Sequence, residues 1–458
     1  MESSMYENKD SVTLQVEPEK RINLKVKITK MNTVQNFLAG YKLRAEDIDM
    51  DSLVGSFTSE MEKGLNGEDS SLRMIATYIE ADNEFLIDTP VLAIDAGGTN
   101  FRAALVTFKA DGNIDMGEII HKRMPGLEGE ISASEFFNTM AGFIRDLAKQ
   151  TDKIGFCFSY ATEMYPNKDG KLLNFSKEVQ APEVIGKMIG KSLLEALGMP
   201  EKEIVILNDT VATLLAGKSA SIQKTYDSFI GFILGTGTNT SYIEKNSNIL
   251  KKPELDQDKS QIINIESGNF GRAQRSAIDI QFDNTTATPG NYTFEKMFSG
   301  GYFGGLCLAV LKEAANEEVF SVEASQKLEN ISTLTSEQAN QFLKNSSDSD
   351  NVLGGCFTTD EDISAARTII ENMINRASKL VAGNLAAVLL KTGKGTEAGK
   401  PVLITIEGTT FYKLQNLKNQ FEDYFYGYLA DDKKRFAEFT YVEQSSLIGA
   451  ALAGLIEN

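Results

Sequence analysis

One pattern occurs twice in this chain and constrains its fold more than any other. An apolar strand runs into a turn of glycine, threonine and asparagine, and a second strand follows. The first copy is VLAIDAGGTNFRAALVTF, residues 91–108; the second is FIGFILGTGTNTSYIEK, residues 229–245. Because a strand rather than a helix follows each turn, neither is a dinucleotide fingerprint. The P-loop pattern G-x-x-x-x-G-K-[ST] is also absent. The repeat reads as an internal duplication, with two related lobes.

The surroundings of each copy fit that reading. Strand patterns such as KIGFCFSYA and EIVILND alternate with helical ones such as SEFFNTMAGFIRDLAKQ, APEVIGKMIGKSLLEALG and TVATLLAG. Alternation of this kind signals an α/β fold. With 458 residues, 42% of them hydrophobic, the chain is too long for one ordinary core. Residues 31–85 read as helices, with the glycines of GLNGEDSSLRM ending one and Asp69 or Ser70 capping the next. TVATLLAG is expected to stop at Gly217. Residues 305–345 and 361–392 read as helical, and KNSSDSDNVLGG between them as a loop. PVLITIEGTTFYKL supplies a third strand and glycine turn, and SSLIGAALAGLIEN a final helix of small residues. The expected division is a small lobe of residues 86–208 plus 444–458 and a large lobe of 209–443. Residues 31–85 are expected to pack on the large lobe, and 1–30 form an arm with no assigned role.

Several function classes fall away on composition. The net charge of −18, from 46 basic and 64 acidic side chains, repels a phosphate backbone, so no nucleic-acid partner is expected. No run approaches the roughly 18 apolar residues that cross a bilayer, so no membrane partner is expected and the cytoplasm is the expected compartment. Cys157, Cys307 and Cys356 are far apart and contain no C-x-x-C pair, which argues against a disulfide framework or a zinc site. The single histidine, His121, lies in IIHKRM, away from every glycine turn, and reads as a surface residue.

Three constellations carry chemistry. At Asp95-Ala96-Gly97-Gly98-Thr99-Asn100 an acid closes a buried strand ahead of two glycines. Glycines without a Cβ let backbone N–H groups come close to phosphate oxygens. Asp95 suits Mg²⁺ held through water, since that ion keeps several waters and takes few carboxylates. Gly235-Thr236-Gly237-Thr238-Asn239 repeats the chemistry. One such turn alone is equally an ordinary hairpin; two make a phosphate clamp with one jaw in each lobe. The third constellation is Asn208-Asp209, between EIVIL and TVATLLAG. Asp209 at a helix start is either a plain N-cap or a general base. In a loose phosphoryl-transfer transition state the nucleophile's proton leaves late, so a carboxylate of ordinary pKa suffices as that base.

These residues carry a resemblance to the hexokinase family. Its acidic residue followed by Gly-Gly-Thr-Asn-Phe-Arg is matched from Asp95 to Arg102, and Asn-Asp-Thr-Val-Ala-Thr from Asn208 to Thr213. Its Phe-Ser-Phe segment and Thr-Lys pair resemble Phe158-Ser159-Tyr160 and Ser176-Lys177. Its Gly-Thr-Gly-Ser-Asn resembles Gly235 to Asn239. Glu-x-Gly-x-Phe-Gly appears from Glu266 to Gly271, and Phe-Glu-Lys-Met from Phe294 to Met297 before Ser-Gly-Gly-Tyr. Its Asp-Gly-Ser turn resembles Glu407-Gly408-Thr409. Seven blocks in family order span roughly residues 60 to 455.

The resemblance implies a two-lobed actin-like ATPase (ribonuclease H-like) fold with a cleft between a small and a large lobe. It implies transfer of the γ-phosphoryl group of ATP, with Mg²⁺, to the 6-hydroxyl of a hexose: glucose, fructose or mannose. Asp209 resembles the family's general base. Ser159, Ser176, Lys177, Asn208, Asn239, Glu266 and Glu295 resemble its sugar-binding set. Asp95, Gly97, Gly98, Thr99, Asn100, Arg102, Gly235, Thr236, Gly237, Gly408 and Thr409 would hold the nucleotide, with Asp95 on Mg²⁺ through water. Sugar hydroxyls both donate and accept, so a pocket of carboxylates and amides suits them.

The chain departs from the pattern at Ala161 (proline in the family), Glu178 (glycine) and Ser267 (tryptophan), with one extra residue after Gly408. Those changes bear on sugar preference and motivate two other readings. One is a catalytically weak sugar sensor; the other is a kinase for an amino- or N-acetyl-hexose. An actin-like filament protein would have no reason to keep Asn208-Asp209 together with Glu266 and Glu295.

Overall fold

The computed structural model describes residues 33–80, 84–175, 179–220, 224–430 and 432–456. The expected arm at 1–30, with Ser176, Lys177 and Glu178, lies outside the described residues.

Two sheets share one strand order. In the small lobe, Val91–Gly97 pairs antiparallel with Asn100–Phe108, which pairs with the short strands Ile114–Met116 and Ile120–Arg123. On its other side Val91–Gly97 runs parallel to Lys153–Phe158, and that strand parallel to Glu203–Leu207. In the large lobe, Ser228–Leu234 pairs antiparallel with Thr238–Lys245, and that strand with Ser260–Asn264. Ser228–Leu234 then runs parallel to Val402–Glu407, followed by Ala437–Thr440. Each sheet therefore reads third, second, first, fourth, fifth in chain order, with Ile75–Ala76 added at the large-lobe edge. The first strand of each lobe is central and covered on both faces, so it is nearly all apolar rather than alternating.

The fifth strand of each lobe leads into a helix, Asp209–Ala220 and Ser445–Leu455, and these two cross between the sheets. Their small residues make the crossing possible. A Cβ on Gly449 would lie 1.9 Å from Ala212 O, and one on Gly155 1.7 Å from Ala450 O. Gly217 corrects the expected helix stop: the helix runs through it, and a Cβ there would meet Thr405 Oγ1 at 1.8 Å. This glycine serves close approach rather than termination.

The region before the first sheet also differs from its reading. Helices cover 33–40 and Met50–Asn66, and Gly67 ends the latter at φ 78°. Asp69 and Ser70 start no helix. Ser70 and Ser71 instead donate to the buried Glu60 carboxylate, and the chain continues extended into Ile75–Ala76. Five side chains of Met50–Asn66 (Leu53, Val54, Phe57, Met61 and Leu65) enter the large-lobe core, where Phe57 packs on Phe270 and Phe294. The expected helix from residue 181 splits into Pro182–Val184 and Ile189–Leu197. The 305–345 region holds three helices, ahead of the long helix Asp360–Thr392. None of the described helices is long and apolar enough to cross a membrane.

Candidate active site

A cavity of about 410 Å³ opens between the lobes. Its lining includes Ser159, Asn208, Asp209, Asn239, Glu266 and Glu295, with Thr236 and Gly237 at one end. Asn208 and Asp209 reach it from the end of strand Glu203–Leu207. The N–H of Thr210 donates to both, at 2.9 Å to Asn208 Oδ1 and 2.8 Å to Asp209 Oδ1. Asn208 thus stands as the residue before the helix, and Asp209 opens the first turn and lines the cavity. Burial pushes the Asp209 carboxyl up to about 6, against the Thr210 N–H, with Asp95 and Glu266 adding repulsion. The expectation of an ordinary carboxylate is corrected by this desolvation.

Beside Asp209 lies a chain of amides. Asn239 Oδ1 accepts from the N–H of Thr240 at 2.7 Å and of Ser267 at 3.3 Å, which aims its Nδ2 outward. That Nδ2 donates to Asn264 Oδ1 at 2.8 Å, and to Asn208 Oδ1 and Glu266 Oε1 at 3.4 Å each. Asn264 Nδ2 in turn donates to Glu266 Oε1 at 2.8 Å. Glu266 itself is left-handed, φ 60°, a conformation that non-glycine residues keep mainly where surroundings impose it. Below it, where the resemblance has tryptophan, the fully buried Ser267 bonds Thr240 Oγ1, which accepts from Asn384 Nδ2.

Glu295 faces the cavity from the turn Glu295–Met297, and its Oε2 accepts from Thr238 N at 2.8 Å. Burial raises its carboxyl to about 7, with the Thr238 N–H opposing and Glu266 adding. A Cβ on Gly237 would lie 2.6 Å from Glu295 Oε2, so the glycine lets this carboxylate touch the turn from the cavity. Lys296 is turned away, buried on Asp283 at 2.6 Å.

The glycine turns are built differently. Gly97 leaves room for Ser159, whose Cβ would lie 2.7 Å from a Cβ on that glycine, and Gly98 sits at φ 56°. Thr99 and Asn100 are exposed. Arg102 donates through Nε (2.9 Å) and Nη2 to Asp95 Oδ2, and through Nη1 to Gln444 Oε1 at 2.8 Å. The resemblance gave Asp95 to Mg²⁺ and Arg102 to phosphate; here the two are paired with each other. In the large lobe the carbonyls of the turn are pinned from behind. Gly235 O accepts from Gly300 N and Thr410 Oγ1, both at 2.8 Å, and Thr236 O from Gly301 N at 2.8 Å. Among the described residues the N–H groups of Thr236 and Gly237 have no partner. Gly408, at φ 111°, passes so close that a Cβ would meet Leu234 O at 2.3 Å. Thr409 borders a second cavity of about 460 Å³, which Asn340, Lys344 and Tyr412 also line.

Sequence reasoning gave no role to four residues, although it quoted Glu407 in the Glu407-Gly408-Thr409 turn. Glu407 ends strand Val402–Glu407 before Gly408, as Asp95 precedes Gly97, and that shared strand–acid–glycine order was the available signal. Its Oε2 is buried without a hydrogen-bond partner, and burial lifts its carboxyl to about 7, with Asp209 adding and Arg102 opposing. Asn264 was signalled only as an amide in the apolar run QIINI. Arg73 and Tyr292 line the cavity and carried no local signal. His121 is exposed on strand Ile120–Arg123, and the three cysteines are buried and form no disulfide. Among the described residues no three acids, histidines or cysteines converge closely enough to ligate a metal directly. Asp95, and Glu407 with its orphaned Oε2, would suit an ion held through its own waters.

Comparisons with known proteins agree on one family. Two family models, both described as hexokinase, match residues 33–219 and 229–456. A putative glucokinase-2 of Saccharomyces cerevisiae is 29% identical over 409 residues, covering 76% of this chain and 82% of the relative. A hexokinase-2 of Solanum tuberosum is 26% identical over 446 residues, covering 90% and 88%. A solved hexokinase from Schistosoma mansoni, complexed with glucose, superposes with a TM-score of 0.75 at 22% identity, covering 93% of this chain and 99% of that one. A second solved hexokinase gives 0.76 at 21%, covering 94% and 100%.

Proposed function

Because the chain belongs to the hexokinase family, we propose that it transfers the γ-phosphoryl group of ATP to the 6-hydroxyl of a hexose, glucose foremost, with Asp209 as general base. The observation that carries this reading is Asp209 itself. Among the described residues it is a carboxylate with no ion pair, lining a cavity together with amides and other acids, near a glycine turn whose Thr236 and Gly237 N–H groups have no partner. Sugar hydroxyls meet Ser159, Asn208, Asn239, Glu266 and Glu295. An analogue lacking those hydroxyls leaves these groups desolvated and unpaired, so the pocket rejects it. The 6-hydroxyl lies against Asp209, whose free oxygen takes the proton as the oxygen attacks phosphorus.

The phosphate oxygens meet the N–H groups of Thr236 and Gly237 on one side, and Thr99 with the spare N–H groups of Arg102 on the other. Mg²⁺ bound with the nucleotide would spread the charge of the transferring group, and Asp95 is the residue fitted to hold it through water. Closing the lobes over the sugar keeps water from the phosphoryl group. The nucleoside has room in the cavity beside Thr409.

A raised Asp209 places the acid limb of turnover near pH 6, and that limb belongs to the coupled carboxylates together. Asp209→Ala is expected to lower turnover by about 10²–10⁴-fold while calorimetry still shows sugar binding. Near-normal turnover in that variant ends the assignment of the base. ADP release over a panel of hexoses, amino-hexoses and N-acetyl-hexoses tests the substrate. Sugar binding without any sugar-dependent ADP release would point instead to a sensor.

A further inference from the structure

Gln444 stands where the chain crosses from strand Ala437–Thr440 of the large lobe into helix Ser445–Leu455. Its backbone is left-handed, φ 55° and ψ 33°, a region that glycine adopts freely and longer side chains rarely do. Although it precedes a helix, its side chain makes no capping hydrogen bond. Among the described residues, its one side-chain bond is the acceptance from Arg102 Nη1 at 2.8 Å. A strained position that holds a long polar side chain bonded to Arg102 needs a reason beyond the turn.

Arg102 supplies that reason. Nε and Nη2 both converge on a single oxygen, Asp95 Oδ2. A guanidinium held at one oxygen can pivot about it. A bond at its far corner removes that freedom. Of the five N–H donors of an arginine, Asp95 takes two and Gln444 one, leaving two for a ligand. The acceptor is also neutral. Asp95, Asp209 and Glu407 already interact electrostatically in this region. An amide orients the arginine without adding a fourth carboxylate where anionic phosphate must come.

We propose that Gln444 is a positioning residue for the reaction: through Arg102 it fixes the plane in which that guanidinium meets the transferring phosphoryl group. This rests on the reading above, in which Arg102 faces the phosphates. It also places the positioning bond where the chain passes from large-lobe strand Ala437–Thr440 into helix Ser445–Leu455.

Gln444→Gly separates side chain from backbone, because glycine relieves the left-handed strain while deleting the amide. Expected are an unchanged or higher Tm, a fall in kcat of about tenfold, roughly the worth of one hydrogen bond to a charged group, and an unmoved sugar KM. Gln444→Glu, which keeps an acceptor at the same reach but adds the fourth carboxylate, should recover only part of the lost kcat. A Gln444→Gly enzyme with kcat within twofold of the parent overturns the proposal, as does a kcat loss that tracks a lower Tm. Arg102→Ala, measured alongside, tells the two readings apart. Turnover kept there overturns the phosphate role of Arg102. Turnover lost there but kept in Gln444→Gly overturns only the role of Gln444.

Discussion

The two glycine turns descend from the same strand order, yet the lobes treat them in opposite ways. In the small lobe Gly98 lies open, with nothing within 4 Å of where a Cβ would stand. In the large lobe Gly300, Gly301, Thr410 and Gly408 hold the turn Gly235–Gly237 from behind. The acids differ likewise. Asp95 carries a guanidinium against it. Asp209, Glu295 and Glu407 make no ion pair among the described residues, and burial raises all three. One lobe offers a rigid, preorganised turn beside carboxylates that hold protons more tightly; the other offers an open turn and a compensated charge. On the proposed function, the two related frameworks would serve two roles, a fixed seat for phosphate and proton transfer and a looser jaw that closes on it.

This contrast can be broken by substitution. The largest effect is expected at Gly408, where alanine must adopt φ 111° and overlap Leu234 O. Gly408→Ala should cost about 3 kcal/mol or more of stability and weaken nucleotide binding, read by denaturant titration and calorimetry. A loss under about 1 kcal/mol would show that the large-lobe turn is not rigid in this sense.

Next in size is the effect of an unpaired buried acid. The folded Asp209 holds its proton up to about 6, against an ordinary value of 3.8. As pH rises through that window the unfolded chain gives up its proton first, so stability falls, and the deficit is complete above it. Asp209→Asn should therefore be more stable than the parent by about 1–2 kcal/mol at pH 8, after allowing for partial exposure, and indistinguishable near pH 4. Equal Tm values at pH 8 would remove the claimed desolvation. The smallest effect belongs to the open turn: Gly98→Ala, at φ 56° in free space, should cost only about 1 kcal/mol.

Local grammar made much of the site legible. A glycine-rich turn after an apolar strand, or Asn208-Asp209 between strand and helix, is dictated by neighbours in sequence, and so each could be read without tertiary knowledge. Glycine within a helix was ambiguous. Gly217 looks like a stop in one dimension, and only the approach of Thr405 reveals it as a point of contact. Asn264, Glu407, Arg73 and Tyr292 carried weak signals or none, because their roles arise from segments far apart in the chain.

Pattern and composition alone determined the doubled α/β plan, the two turns, and which acids and amides are candidates for the chemistry. These depend on periodicity and on backbone freedom, which are properties of short stretches. Folding decided the pairing of Arg102 with Asp95 and Gln444, the elevation of three carboxylates, and the bracing of one turn but not the other. Desolvation and hydrogen-bond geometry depend on what surrounds a group in space, and the chain brings those surroundings from residues hundreds of positions apart.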